Sequence, residues 1–260
     1  MIHRILLLSL AALTAGCATS EHTVSTADHA TGHGTGGPAH WSYAGAAGPE
    51  HWGALEPEFS ACAAGANQTP IDIHGTISAA LPPLRLDYRT LGHKVVNNGH
   101  SIQVNVAPGS SLTINGVAFT LKQFHFHAPS ENVVDGKHYA IEAHFVHADP
   151  AGHLAVIGVL YRLGKADPTL ARLWAASPKE AGAPQALRSP IDPKALLPRG
   201  RGYYAFNGSL TTPPCTEGVR WMVLKDPLTV SQEQVDFLQQ AVKGPNNRPV
   251  QPVNARILLR

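Results

Sequence analysis

Charge is what this chain has least of. Asp, Glu, Lys and Arg make up 15% of its 260 residues, against about 25% in an average soluble domain. The formal net charge is only +2. Such a balance offers no basic patch for nucleic acid and no strong field to steer an acidic partner. No segment approaches the ~20 consecutive apolar residues of a transmembrane helix. The His-Glu-x-x-His arrangement of zinc metalloproteases is also absent. Cysteine is confined to Cys17, Cys62 and Cys215.

What is present points to a β-rich domain behind an export signal. His3 and Arg4 precede an apolar run from Ile5 to Leu13, then Thr14, Ala15, Gly16 and Cys17. That layout predicts a signal peptide over 1–16, with a hydrophobic stretch too short to span a bilayer. The chain is therefore expected to be exported, to the periplasm. The Ala-Gly-Cys ending resembles a bacterial lipobox, with Thr14 where leucine is usual. Cys17 is thus a candidate lipid anchor and mature N-terminus, and membrane attachment through it is one expectation. An ordinary signal with Cys17 incidental is the other. Residues 17–40 carry almost no large apolar side chain and are expected to be a flexible linker. Its histidines His22, His29, His33 and His40 are irregularly spaced, as in a solvated tail.

From Trp41 onward, 41–260 reads as one domain. With 24 glycines and 21 prolines, the sequence favours turns and short strands over long helices. Alternation marks strands at 101–106, 140–146 and, less cleanly, 154–161. Asn115-Gly116 between 112–114 and 117–121 predicts a hairpin. One helix is expected from Asp167-Pro168 to Ala175, with Asp as cap and Pro at the first helical position. Another is expected from Ser231 to Lys243. There Ser231 and Gln234 form a capping box and Gly244-Pro245 stops the chain.

The chemistry concentrates in two segments. In the first, residues 123–131, strand geometry puts Gln123, His125 and His127 on one face and Phe124 and Phe126 on the other. In the second, Glu142, His144 and Val146 share a face and His147 takes the opposite one. Two such strands side by side present three imidazoles to one point. His147 is an alternative third ligand if the second segment is helical, through its i, i+3 relation to His144. Three histidines leave the fourth tetrahedral position of a zinc ion open for water, as in a catalytic site. Thiol ligation is disfavoured in an exported chain, where cysteines form disulfides.

These segments carry a resemblance. Trp41 to Gly53, Asn67 to Ile73, Asn97-Asn98-Gly99-His100, His125-Phe126-His127 with Ser130-Glu131, Glu142 to His147, Gly208 to Cys215, and Asn246 to Pro252 follow in order. Together they resemble the α-class carbonic anhydrases over nearly everything from Trp41 to Arg260. The resemblance implies a mainly β (α+β) fold. It is a single domain on a central twisted, largely antiparallel sheet, with short peripheral helices and zinc at the bottom of a conical cavity. The implied activity is reversible hydration of carbon dioxide to bicarbonate and a proton, by zinc-hydroxide attack. His125, His127 and His144 match the Zn2+ ligands. Gln123, Glu142 and the Asn246 carbonyl match their orienting partners. Thr211 matches the gatekeeper that donates to Glu131, and His100 the proton shuttle. Val146, Val156, Leu210, Val219 and Trp221 match the apolar wall for carbon dioxide, with Thr212 and Gln103 opposite. Cys62 and Cys215, an even pair in an exported chain, match positions bridged in bacterial relatives. A monomer or dimer is expected.

Two departures stand out. Gln103 replaces an Asn common in relatives, and Asn247 replaces an aromatic. Two rival readings are a cupin-like metalloprotein with Glu131 as ligand, and a non-catalytic binding module on the same fold. The first leaves Thr211-Thr212-Pro213-Pro214 unexplained. The second typically loses a zinc histidine, and all three are present.

Overall fold

The computed structural model describes residues 40–260. The expected signal peptide, Cys17 and most of the expected linker lie outside the described residues. Thirteen strands follow in chain order: β1 (Asp72–Ile73), β2 (Arg85–Asp87), β3 (Gly92–Asn97), β4 (Ile102–Val106), β5 (Ser111–Ile114), β6 (Val117–His127) and β7 (Val133–Val134). They continue with β8 (Ile141–Ala148), β9 (Leu154–Leu163), β10 (Gln185–Ile191), β11 (Tyr203–Ser209), β12 (Glu217–Leu224) and β13 (Leu228–Val230). Eleven form one sheet along the path β10-β3-β4-β6-β8-β9-β12-β11, with β5 beside β6, β2 beyond it, and β13 beside β9. Only β12 and β13 run parallel to their partner β9; the other pairings in this sheet are antiparallel.

The sheet separates two apolar clusters. On one face Val104, Phe124, Phe126, Phe145 and Ile157 pack under Trp174 and Leu238. Those last two come from the helices α3 (Pro168–Ala176) and α4 (Gln232–Ala241). On the other face Ile71, Val156, Leu160, Phe206, Val219 and Trp221 form a smaller cluster. The central strands β8 and β9 are buried on both faces. For that reason β9 reads as an apolar run rather than a clean alternation.

One irregularity in β6 sets up everything that follows. Phe119 and Leu121 are buried at odd positions, Phe124 and Phe126 at even ones. Opposite β8 the register moves from Leu121↔His147 to Gln123↔Val146, so Lys122 is an extra residue. A one-residue insertion exchanges the two faces of a strand. Below the bulge, Gln123, His125 and His127 are thereby turned away from the larger core.

Caps fix the helices as their residue types dictate. Asp167 accepts from the amides of Thr169 (2.7 Å) and Leu170 (2.9 Å). Ser231 and Gln234 close a reciprocal capping box. The second helix stops at Ala241, short of Lys243, because Lys243 (φ 63°) and Gly244 (φ 140°) take left-handed backbone. Asn115 (φ 50°) and Gly116 (φ 81°) form the turn between β5 and β6, as the Asn-Gly pair requires. Two further one-turn helices, α1 (Trp52–Leu55) and α2 (Ala61–Ala64), precede the sheet. Cys62 in α2 is bonded to Cys215 (S–S 2.09 Å, Cα–Cα 5.0 Å).

Candidate active site

His125 and His127 come from β6 below the bulge, and His144 from β8, directly across from His125 in the strand register. The ligating atoms of the three rings lie within 4.8 Å of one another. Each ring is held from behind. His125 Nδ1 donates to Gln123 Oε1 at 2.8 Å, and His127 Nδ1 to the Asn246 carbonyl at 2.7 Å. His144 Nε2 lies 3.2 Å from Glu142 Oε1, close but not aligned as a hydrogen bond. The inward nitrogens are left over. His127 Nε2 is fully buried with no hydrogen-bond partner, which a native interior seldom tolerates without an occupant. Burial, first of all, holds the three rings neutral. It brings His127 down to about 4 despite its bond to Asn246, and drives His125 and His144 well below the ordinary imidazole value. Neutral imidazoles are the form that ligates metal, and three histidines suit zinc with one position open. The residues therefore fit the ion.

His147 faces away from this group. Its Nε2 lies 2.7 Å from the Tyr88 hydroxyl and its Nδ1 3.2 Å from the Ala155 carbonyl, so its hydrogen-bonding capacity is used within the core. The extended geometry of β8, rather than a helix, puts His144 in the cluster.

Two buried carboxylates frame the histidines. Glu142 is saturated: Oε2 accepts from the amides of Glu131 (3.0 Å) and Asn132 (2.7 Å), and Oε1 from Asn132 Nδ2 (2.8 Å). Burial pushes it up to about 6, against these bonds. Glu131 is only half satisfied. Oε1 accepts from the Arg248 amide at 2.9 Å. Oε2 has no aligned donor, at 3.6 Å from His127 Nε2 and 3.9 Å from His144 Nδ1. Burial raises Glu131 to about 8, opposed first by the Arg248 amide and then by the Thr211 hydroxyl. Glu131 stays outside the three-histidine group, contrary to a cupin arrangement.

A cavity of about 170 Å³ opens above the imidazoles. Val146, Val156, Leu210 and Trp221 make one side apolar, while Gln103, Gln123 and Thr212 contribute polar atoms. Gln103 is turned along its strand, donating to Asn105 Oδ1 at 2.7 Å. Val219 shares the Trp221 face of β12 and, 1% exposed, packs in the same apolar cluster as Val156 and Trp221, with Val146 and Leu210 against it. His100 stands in the lining, half-buried and stacked on Trp41 (3.7 Å, 11°). Burial lowers its pKa, with a smaller contribution from His40. Trp41, Tyr43, Asn98 and Ser101 also line the cavity. Pattern reasoning gave them no role, because their side chains carry no titratable or ligating signal near neutral pH. Asn247, in place of the usual aromatic, is half-buried between the buried Asn246 and Arg248.

The sequence model of the family described as eukaryotic-type carbonic anhydrase matches residues 47–260. A carbonic anhydrase of Pectobacterium carotovorum is 43% identical over 97% of this chain and 98% of its own length. One from Neisseria gonorrhoeae is 47% identical over 90% and 92%. Among solved structures, the α-carbonic anhydrase of Thermovibrio ammonificans, in complex with the inhibitor sulfanilamide, is 49% identical with a TM-score of 0.84. That match covers 86% of this chain and 100% of the other. With three histidines converging at the floor of a half-apolar cavity in a large twisted sheet, the chain belongs to the α-class carbonic anhydrase family.

Proposed function

We infer that the protein is an exported zinc enzyme that hydrates carbon dioxide reversibly, with His125, His127 and His144 holding the metal. The observation that carries this reading is the trio of imidazoles, His127 and His144 buried and His125 half-buried, whose outer nitrogens face fixed partners and whose inner ones face the cavity. Bound zinc supplies a Lewis acid that brings the pKa of a coordinated water from 15.7 to about 7, carbonic anhydrase being the reference case for that effect. Glu131, when ionised, can only accept. Its Oε1 accepts the Arg248 amide and its Oε2 has no aligned donor, so the carboxylate keeps capacity to accept the Thr211 proton. A Thr211 hydroxyl that donates there has only lone pairs to offer the cavity, and it orients the attacking oxygen. Val146, Val156, Leu210 and Trp221 give the apolar substrate a dry surface and offer it no competing hydrogen bond.

His100 carries the proton outward. A group with pKa near 7 releases protons to bulk water at only about 10³ s⁻¹, given recapture near 10¹⁰ M⁻¹s⁻¹. The reference enzyme turns over at about 10⁶ s⁻¹. A half-buried imidazole at the rim, its pKa below the ordinary value of about 6.5, takes up the proton and passes it on to buffer, which closes that gap. His100→Ala is expected to slow turnover in dilute buffer and to be rescued by added imidazole; equal rates in dilute buffer would remove His100 from this role.

The reading as a whole is tested by stopped-flow hydration with and without a zinc chelator. Activity is expected to vanish with the metal and return on adding zinc. Hydration that survives complete zinc removal rejects it. Membrane attachment is tested separately. If Cys17 carries a lipid, the wild-type chain partitions into detergent and Cys17→Ser releases it. Equal partitioning of both means plain secretion.

A further inference from the structure

Arg248 is among the largest fully buried side chains, 1% exposed, although it carries a charge. No carboxylate lies within ion-pair distance of its guanidinium among the described residues. Its head is held instead by neutral oxygens. Nη1 donates to Gln68 Oε1 and the Thr69 carbonyl, both at 2.8 Å, and Nη2 to the Cys62 carbonyl at 2.9 Å. The guanidinium carbon stands 5.7 Å from the Trp52 ring centroid. A charge taken out of water and met mainly by dipoles is costly, so packing alone is a poor account of it.

The backbone of the same residue touches the site, donating its amide to Glu131 Oε1 at 2.9 Å. Residues 245–253 lie in no helix or strand. No ladder aims that amide. It is held between Asn246, bonded to His127, Ala128, His100 and Phe126, and the Gln251 amide, which donates to the Pro70 carbonyl. At residue 248 itself it is held by the three bonds at the far end of the side chain. Those bonds lead to the frame of Thr211. Thr69 exchanges hydrogen bonds with Ser209: its amide donates to Ser209 Oγ, and the Ser209 amide to Thr69 Oγ1, both at 3.0 Å. Gln68 Nε2 donates to the Cys215 carbonyl at 3.0 Å. Cys215 is disulfide-bonded to Cys62, and its amide closes a turn onto the Thr212 carbonyl at 2.8 Å. Through Thr69, Gln68 and Cys62 the guanidinium is therefore tied to Ser209 and Cys215 on either side of Thr211, while the residue's own amide bonds the acceptor that Thr211 needs.

We propose that Arg248 is a positioning residue for the Thr211–Glu131 relay, its guanidinium locking donor and acceptor into one frame so that the Thr211 proton is committed to Glu131. This rests on the relay reading given above. A misplacement of about an ångström in such a constellation costs up to 10²-fold in rate. Arg248→Lys keeps the charge but loses the planar fork. It is expected to lower kcat/KM about tenfold at full zinc content.

A double-mutant cycle with Thr211→Ala separates positioning from mere structure. With the relay gone, Arg248→Lys is expected to cost less than twofold. An equal factor in both backgrounds would mean that Arg248 acts on the fold and not on the relay, and overturns the proposal. Normal activity of Thr211→Ala alone would instead sink the relay itself, so the two failures are distinguishable. Amide hydrogen exchange gives a readout free of turnover. The residue-248 amide is expected to exchange at least tenfold faster in Arg248→Lys, with β6 and β8 unchanged; unaltered protection overturns the proposal. If Arg248→Lys does not fold, Gln68→Met carries the test. It removes one acceptor of the fork together with the Gln68 bonds to the Cys215 carbonyl and Glu217, and the same cycle and exchange measurement apply, with a drop that again depends on Thr211.

Discussion

His147 and His144 stand three residues apart on one strand, and a single face change divides their tasks. His147 is buried and its pKa lies near 4, chiefly because burial disfavours the cation. The unfolded value is near 6.5. As pH falls from 6.5 toward 4, the unfolded chain binds a proton that the folded one refuses. The stability linked to His147 is therefore complete above pH 6.5 and lost through that window, by at most about 3 kcal/mol. Thermal melts of wild type and His147→Gln, which can still donate and accept, are expected to converge as pH drops from 7 to 4. Parallel curves would contradict the assignment. For the imidazoles of the site the expectation is different. Replacing His125, His127 or His144 by Ala is expected to weaken zinc binding severely and abolish hydration, measured by metal analysis and stopped flow, since one of only three protein ligands is lost. Thr211→Ala is expected to keep its zinc and lose about 10²-fold in rate.

Elements decide how these residues meet. The hairpin at Asn115-Gly116, the alternation in β4, and the caps at Asp167 and Ser231 are written in local residue chemistry, and each was legible without the fold. The cap at Asp167 satisfies two amides that the first turn of α3 would otherwise leave open. Asp167→Ala is expected to lower stability by about 1–2 kcal/mol, read from denaturant unfolding, with hydration unchanged in the folded enzyme. The bulge at Lys122 was not legible. No glycine marks it, and its cause is the pairing of β6 with β8, a long-range register that no local pattern reports. The one-turn helices α1 and α2 escaped notice for a related reason. Four residues are too few to display a period, and tertiary contacts stabilise so short a helix.

At the scale of the molecule, the Cys62–Cys215 bond ties α2 to the loop that follows Thr211 across 153 residues of sequence. Closing so long a loop in the unfolded chain is expected to be worth about 2–5 kcal/mol. Thiol counting under non-reducing denaturation should find neither cysteine free, and reduction should lower the unfolding midpoint. A midpoint unmoved by reduction would deny the bond a stabilising role. The same covalent link holds the Cys62 carbonyl beneath Arg248, so reduced protein is also expected to lose turnover before it unfolds, which hydration assays below the melting range would show.

By itself the sequence determined the chemistry. Alternation in two strands put Gln123, His125 and His127 on one face and His144 on the face opposite His147, because side-chain direction in a strand depends only on parity. The order of motifs along the chain carried the family. Only the tertiary structure decided the rest: that β6 and β8 are neighbours with His125 opposite His144, that Val219 packs with Val156 and Trp221 in one cluster, and that Arg248 spans from the disulfide to Glu131. The two histidines are 19 positions apart (144 − 125) and Arg248 and Cys62 are 186 apart. Such relations are set by how whole strands pack and register, and no local periodicity encodes that.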